Sequence, residues 1–290
     1  MQNIFHTNTN VLCLIGHPIK HTYSPFIHNL SANLLGLEYL YLPFDIPQDN
    51  LKDALKGMVA LGIKGFNVTI PYKELILPYL HSISEEAAIV GSVNTVVNDQ
   101  GKLIGYNTDV NGIYETLLPY KDEISGLEVS VIGAGGAARA LIYNLIRYFR
   151  PSKINIINRT EQRAESLKLY FVEKMKFEDL ECYELFPPDI LPVLKESKLI
   201  VNTTSLGMHP DVDDSPISLP NVFVGHQIVF DMVYNPVNTK FLQQAKAEGA
   251  TTINGIKMLV YQGAKSFELW TGTQMPVDSV YDALIKYLAP

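Results

Sequence analysis

Cysteine is nearly absent from this chain, with two in 290 residues, Cys13 and Cys182. That scarcity excludes a disulfide framework, and Cys13, inside the apolar run Val11-Leu12-Cys13-Leu14-Ile15, reads as a packed thiol. No apolar run approaches the roughly 20 residues of a membrane span, so no membrane partner is expected. Positive charge is also in short supply: 23 Lys and Arg against 30 Asp and Glu leave a formal net charge of −7. Affinity for a phosphate backbone comes from clustered cations, so nucleic acid is not an expected partner. The opening Met1-Gln2-Asn3-Ile4-Phe5-His6-Thr7 has neither a basic n-region nor a following apolar h-region, so no secretory signal is expected and the expected compartment is the cytoplasm. There is no His-Glu-x-x-His or Cys-x-x-Cys pattern, and Pro18 interrupts any helix through His17 and His21, so no metal is expected.

What is present is an ordinary soluble composition, 47% hydrophobic and 18% charged. The length exceeds the size at which one core usually stops growing, which favours two domains. Residues 11–15, 25–35, 38–44 and 48–61 alternate as strand, helix, strand, helix, with Ser24 as a cap, Pro25 at the first helical position and Gly36 past the end. Residues 66–70 read as a strand end, and residues 93–97 pair with 103–105 through the turn Asn98-Asp99-Gln100-Gly101, closing the first domain. A second repeat begins with a strand at 128–132, a glycine-rich turn and a helix at 137–148. Residues 153–158, 198–201 and 228–233 are apolar enough to be inner strands of a parallel sheet. The pattern is α/β and doubly wound. Helices at about 256–270 and 277–288 end the chain, and residues 171–191, with Pro187-Pro188, carry no clear pattern.

Gly133-x-Gly135-Gly136-x-Ala138 follows one predicted strand and opens a predicted helix, the context in which a glycine pattern points to a dinucleotide pyrophosphate. The bland alternative is a tight strand-helix turn. Small residues Gly133, Ala134, Gly135, Gly136 and Ala137 let the backbone approach the phosphates at the helix N-terminus. An NAD enzyme places an acid about 20 residues beyond the first glycine. Here the next strand ends in Asn158-Arg159-Thr160, with Arg163 following, and a guanidinium suits the 2′-phosphate of NADP. Arg159 as a plain solvated strand end is the alternative.

Lys73, in Asn67-Val68-Thr69-Ile70-Pro71-Tyr72-Lys73, and Asp109, in Gly105-Tyr106-Asn107-Thr108-Asp109, are a candidate proton donor and its carboxylate partner. Hydride transfer to a ketone creates an alkoxide that needs such an acid nearby.

These stretches resemble the shikimate dehydrogenase family over nearly the whole chain. Gly16-His17-Pro18-Ile19-Lys20-His21-Thr22-Tyr23-Ser24-Pro25 is similar to its N-terminal motif. In the family's order follow the Asn67 stretch, Gly91-Ser92-Val93-Asn94-Thr95, the Gly105 stretch, Asn202-Thr203-Thr204-Ser205-Leu206-Gly207-Met208, Asp231-Met232-Val233-Tyr234-Asn235-Pro236 and Gly255-Ile256-Lys257-Met258-Leu259-Val260-Tyr261-Gln262-Gly263. The resemblance implies NADPH-dependent reduction of 3-dehydroshikimate to shikimate in aromatic biosynthesis, with Lys73 and Asp109 as the catalytic pair. It implies that Thr22 and Ser24 hold the substrate carboxylate with Tyr234 assisting, and that Asn94, Thr69, Asp109 and Gln262 bond the ring hydroxyls. Thr203, Gly255 and Met258 join the cofactor residues on the same ground. Asn94 in a β-rich stretch costs β-propensity, which itself favours a functional role. His17, His21 and His28 read as lining or supporting the substrate loop.

The implied architecture is a substrate domain over residues 1–112, an NADP domain with a Rossmann-like sheet over 113–240, and C-terminal helices over 241–290 returning to the first domain, in a monomer or homodimer. One departure stands out: the family usually has Ser at the position of Thr22, whose extra methyl takes pocket volume and stiffens χ1. A quinate or dual quinate/shikimate dehydrogenase is therefore the alternative enzyme, and a ligand-sensing protein on the same fold is the alternative outside enzymes.

Overall fold

The computed structural model describes residues 6–19, 22–185 and 187–288. The chain divides into two compact units, residues 1–112 with 260–290, and residues 113–259.

Unit one contains β1 (Asn10–Gly16), α1 (Ser24–Leu34), β2 (Tyr39–Asp45), α2 (Leu51–Ala60), β3 (Gly65–Val68), α3 (Tyr72–Leu75), β4 (Ser82–Ile83), α4 (Glu85–Val90), β5 (Thr95–Asp99) and β6 (Lys102–Tyr106), and α5 (Asp109–Leu117) starts at its end. Its six-stranded sheet runs in the order β2-β1-β3-β5-β6-β4. β1 is parallel to both of its neighbours, whereas β5 is antiparallel to β3 and to β6. Leu12, Cys13, Leu14 and Ile15 are all buried, as a central strand covered on both faces requires. Burial pushes the Cys13 thiol up to about 12, in keeping with a packed, unreactive group.

One local expectation is corrected here. Ser24 does not cap α1: Tyr23 is the capping residue, Ser24 is the first helical residue, and its amide donates instead to Thr22 Oγ1 at 3.2 Å. The Thr22 side chain thus makes the turn into the helix. The β5–β6 hairpin is the last of the sheet in chain order, and the two-residue β4, which the sequence did not suggest, pairs beyond β6 at the edge. A strand that short leaves no periodicity to read. The hairpin turn itself is as expected, with Gln100 and Gly101 at φ 50° and 92° and Asn98 Oδ1 accepting from the Gly101 amide at 2.8 Å.

Unit two contains α6 (Lys121–Ile124), β7 (Glu128–Ile132), α7 (Gly136–Asn144), β8 (Lys153–Asn158), α8 (Glu161–Met175), β9 (Leu180–Glu184), α9 (Pro187–Glu196), β10 (Leu199–Asn202), β11 (Ile228–Asp231), α10 (Lys240–Ala247) and β12 (Thr251–Ile253). The sheet order is β12-β11-β10-β7-β8-β9, and every pairing in it is parallel. That is the doubly wound arrangement, which reverses direction beside β7 and so places ligands outside the carboxyl ends of β7 and β10. The stretch without a clear pattern holds β9 and α9. β9 is a half-exposed edge strand, and α9 carries Pro192 in its interior. Residues 241–259 also belong to unit two rather than to the returning segment, because β12 hydrogen-bonds to β11.

α11 (Ile256–Thr271) and α12 (Val277–Leu288) follow, and from residue 260 the chain is part of unit one. Trp270, on α11, donates its indole N–H to the Val96 carbonyl of β5 at 2.9 Å, which ties the helix to the sheet of that unit. Among the described residues no helix is long and apolar enough to cross a membrane.

Candidate active site

The strand ends of unit one gather the polar residues of the motifs. β3 delivers Thr69 and, through the short α3, Lys73; β6 runs into Asp109 at the start of α5; Asn94 precedes β5; Gln262 comes from α11. Lys73 Nζ donates to Asp109 Oδ2 at 2.6 Å, with side-chain exposures of 19% and 6%. An ion pair so enclosed loses the solvent competition that weakens surface pairs. Asn94 Nδ2 donates to the other carboxylate oxygen, Asp109 Oδ1, at 2.9 Å, so both oxygens are held. Gln262 Oε1 lies 3.4 Å from Asn94 Nδ2. The structure therefore brings Lys73, Asp109, Asn94 and Gln262 together from four separate stretches.

Thr22 and Ser24 are adjacent, with their hydroxyls 3.2 Å apart at the N-terminus of α1. Thr69 packs against the end of β1, where a Cβ on Gly16 would collide with its methyl group, so glycine is needed at that position. His17 Nδ1 meets Asp45 Oδ1 at 2.5 Å near the surface. His28 is buried and stacks on Tyr41 with ring centroids 4.3 Å apart. Burial pulls its imidazole down to about 3, so it is neutral. His21, together with Lys20, lies outside the described residues. Among the described residues no cluster of His, Cys, Asp and Glu could hold a metal ion.

In unit two the glycine-rich turn joins β7 to α7. Gly133 has φ 113°, and a Cβ there would run into Thr203 Oγ1, while a Cβ on Gly135 would meet nothing within 4 Å. Thr203 closes the floor by donating its hydroxyl to the Ile132 carbonyl at 2.7 Å. Gly135 is the capping residue of α7 and supplies no side-chain cap, and Ala134, Gly136 and Ala137 keep the same turn free of bulk. An open glycine cradle at an uncapped helix start fits a dinucleotide pyrophosphate. At the end of β8, Asn158 Nδ2 donates to the Thr160 carbonyl at 2.8 Å, and Arg159, Thr160 and Arg163 are exposed. Two exposed guanidinium groups there fit a 2′-phosphate and offer no acid for a free ribose hydroxyl. Tyr234 is on the loop after β11. Gly255 lies where a Cβ would come within 2.5 Å of the Met232 carbonyl oxygen, and Met258 is buried on the first turns of α11.

That Tyr234 loop is held by a group the sequence reading passed over. Asp231 is buried and accepts from Asn202 Nδ2 and the Val233 amide at 3.0 Å each, and from the Thr239 hydroxyl at 2.6 Å. Desolvation nevertheless lifts its carboxyl to about 6. Also passed over were Asn67, Thr95, Thr108 and Ser266, all buried around Asn94. Asn67 carries the same signal that singled out Asn94, an asparagine inside a β-rich run.

The chain is similar to known proteins along nearly its whole length. Residues 14–96 match the shikimate dehydrogenase substrate binding domain, 117–206 match shikimate/quinate 5-dehydrogenase, and 255–285 match the shikimate 5′-dehydrogenase C-terminal domain. The NADP(+) shikimate dehydrogenase of Pelodictyon phaeoclathratiforme is 44% identical over 281 residues, covering 96% of this chain and 98% of its own. That of Methanothermobacter thermautotrophicus is 40% identical over 281 residues, with 97% of both chains covered. Among solved structures, the Thermus thermophilus shikimate 5-dehydrogenase with NADP(H) and shikimate superposes with a TM-score of 0.83 at 34% identity, covering 96% of this chain and 99% of that one. The Corynebacterium glutamicum quinate dehydrogenase with NAD superposes at 0.86 with 28% identity, covering 96% and 99%.

Proposed function

This chain belongs to the shikimate dehydrogenase family, and from that premise we propose that it catalyses the reversible NADPH-dependent reduction of 3-dehydroshikimate to shikimate, a step toward aromatic amino acids, with Lys73 and Asp109 moving the proton. The observation that carries the reading is the enclosed Lys73–Asp109 pair with Asn94 on the second carboxylate oxygen. The glycine turn of unit two would hold NADPH, with Arg159 and Arg163 available for its 2′-phosphate, and the cofactor would supply the hydride when bound.

The residues of unit one do the rest. Lys73 Nζ gives its proton to the oxygen that becomes the hydroxyl, and in the reverse direction it takes the proton back. Asp109 holds the ammonium in a fixed direction, so no reorientation is needed as charge develops. Thr22 and Ser24 present two hydroxyls for the substrate carboxylate. Thr69, Asn94 and Gln262 bond the ring hydroxyls. The site is polar because its substrate is polar, and a hydroxyl left unmatched there would cost far more than a missing methylene.

Initial rates with shikimate and quinate, each against NADP and NAD, test the proposal. Turnover confined to shikimate with NADP supports it, and absence of turnover in all four combinations overturns it in favour of a ligand sensor. Comparable quinate rates support the dual enzyme and make Thr22, whose methyl alters the carboxylate end of the pocket, the next residue to vary.

A further inference from the structure

Behind Asn94 lies a second layer of polar side chains to which the reaction itself assigns nothing. Asn67 on β3, Thr95 on β5 and Ser266 on α11 are all buried. The Tyr41 hydroxyl donates to Asn67 Oδ1 at 2.7 Å, and Asn67 Nδ2 then faces Thr95 Oγ1 at 3.0 Å and Ser266 Oγ at 3.1 Å. Ser266 Oγ lies 2.8 Å from Thr95 Oγ1 and 3.0 Å from Thr108 Oγ1. The Thr95 hydroxyl lies 3.1 Å from Asn94 Oδ1 and the Thr108 amide donates to the same oxygen at 2.7 Å, while the Thr108 hydroxyl stands 3.0 Å from Asn94 Nδ2 and 3.2 Å from Oδ1.

An asparagine amide is nearly symmetric in shape, so its partners decide which end faces a carboxylate. With Oδ1 turned toward Asp109, two acceptors would face each other in a buried site. The Thr108 amide, which can only donate, prevents this at Asn94 Oδ1, with the Thr95 hydroxyl beside it. Asn67 Nδ2 can also only donate, so Thr95 Oγ1 accepts from it and has its own proton to give to Asn94 Oδ1 or to a neighbouring hydroxyl. Ser266 fixes a second element at the same point. It lies one helical turn beyond Gln262, on the same face of α11, and donates back to the Gln262 carbonyl at 3.0 Å. Where Ser266 docks therefore sets where Gln262 Oε1 stands against Asn94.

We infer that Ser266 and Asn67 are positioning residues of this reaction: they hold the Asn94 amide with its nitrogen toward Asp109 and place Gln262 beside it, so that the Lys73–Asp109 pair is set before substrate arrives. The inference rests on the functional reading above. Neither residue hands over a proton; each acts through Asn94 and Gln262.

Ser31 provides the control. Like Ser266 it is a fully buried helix serine that donates to the carbonyl four residues back, Ile27, at 2.7 Å, and among the described residues it hydrogen-bonds to none of the layer around Asn94. Ser266→Ala should lower kcat/KM for shikimate roughly tenfold while Ser31→Ala stays within about twofold, since small misplacements of reacting groups carry large rate penalties. Dissociation constants for NADPH, read by its fluorescence, should be the same in both variants and the wild type, because the glycine cradle is in the other unit. The loss should shrink in a Gln262→Ala background, as coupled residues require. Equal kinetics in Ser266→Ala and Ser31→Ala overturn the inference while leaving the function intact. No turnover by the wild type overturns the functional reading, and the inference with it. Should Ser266→Ala fail to fold, Tyr41→Phe decides, since it removes only the hydroxyl that orients Asn67; unchanged kcat/KM there also overturns the inference.

Discussion

Lys73 and Asp109 meet at 2.6 Å although 36 residues separate them in the chain. One stands on the short helix after β3 and the other on the first residue of α5, and β5 and β6 bring the two elements to one end of the sheet. The contact belongs to the sheet's topology rather than to either local sequence.

Removing the ammonium should therefore abolish chemistry without unfolding the protein. Lys73→Ala is expected to lower kcat for shikimate oxidation by about 10²- to 10⁴-fold, the range for a lost general acid or base. Absorbance of the reduced nicotinamide gives the rate, and an unchanged circular dichroism spectrum shows the fold intact. Near-normal turnover by a folded variant sinks the role of Lys73.

Gly133→Ala should weaken the nucleotide site. Its φ of 113° strains any L side chain, and the new Cβ strikes Thr203 Oγ1, which is anchored to the Ile132 carbonyl. A cost of about 1–3 kcal/mol is expected for that backbone conformation. It should appear in calorimetric stability and as poorer NADPH binding; unaltered affinity contradicts the cradle assigned here.

Arg159→Ala should erode discrimination between the two nicotinamide cofactors. A charge-assisted bond to the 2′-phosphate is worth about 10- to 100-fold in affinity. KM for NADP should rise by that factor while KM for NAD stays put, with Arg163 retaining the remaining preference. A parallel rise for both cofactors rules out contact with the 2′-phosphate.

Unit one should lose stability in acid through His28. Its folded-state value, pulled by burial to about 3, lies below the ordinary 6.5, so the unfolded chain takes up the proton first as pH falls. The neutral ring's contribution is full above the ordinary value and declines from there down to the folded one. At about pH 4.5 the loss should be roughly 2–3 kcal/mol. His28→Phe keeps the stack on Tyr41 and should remove the loss. Urea unfolding followed by Trp270 measures it, since this sole tryptophan is 9% exposed and 5.2 Å from the His28 ring. Equal acid sensitivity in the variant refutes the assignment.

Asp231 should act with the opposite sign in unit two. Desolvation raises its folded-state value from 3.8 to about 6, so the folded protein holds the proton longer, and stability from this group is lost as pH rises through that window. Asp231→Asn can still accept from Asn202 and Val233 with its oxygen, and its amide nitrogen can donate to Thr239. Between about pH 4 and pH 7 the wild type should therefore lose roughly 2 kcal/mol relative to this variant. Calorimetry across that range checks it, and a flat difference refutes it.

Much of the doubly wound half was legible because its signals are local. The strands at 128–132 and 153–158 coincide with β7 and β8, whose Val and Ile side chains are all buried, and the glycine turn between β7 and α7 announces itself by a backbone that only small residues tolerate. Edges were harder. β9 is half-exposed, β4 has two residues, and β12 reveals its membership in unit two only through its bonds to β11. Thr22, not Ser24, makes the turn into α1, because either hydroxyl suits such a turn and only backbone geometry chooses between them.

By itself, then, the sequence determined the α/β class and the glycine turn, since each rests on a short run of neighbouring residues, and it put forward Arg159, Lys73, Asp109, Asn94 and Gln262 as candidates. Only the tertiary structure decided how those groups face one another. Asn67 and Ser266 are 199 residues apart and meet at 3.1 Å, and no pattern along the chain records that contact. The orientation of the Asn94 amide follows from partners on β3, β5, the start of α5 and α11, and a hydrogen bond's direction is set only when donor and acceptor are both in place.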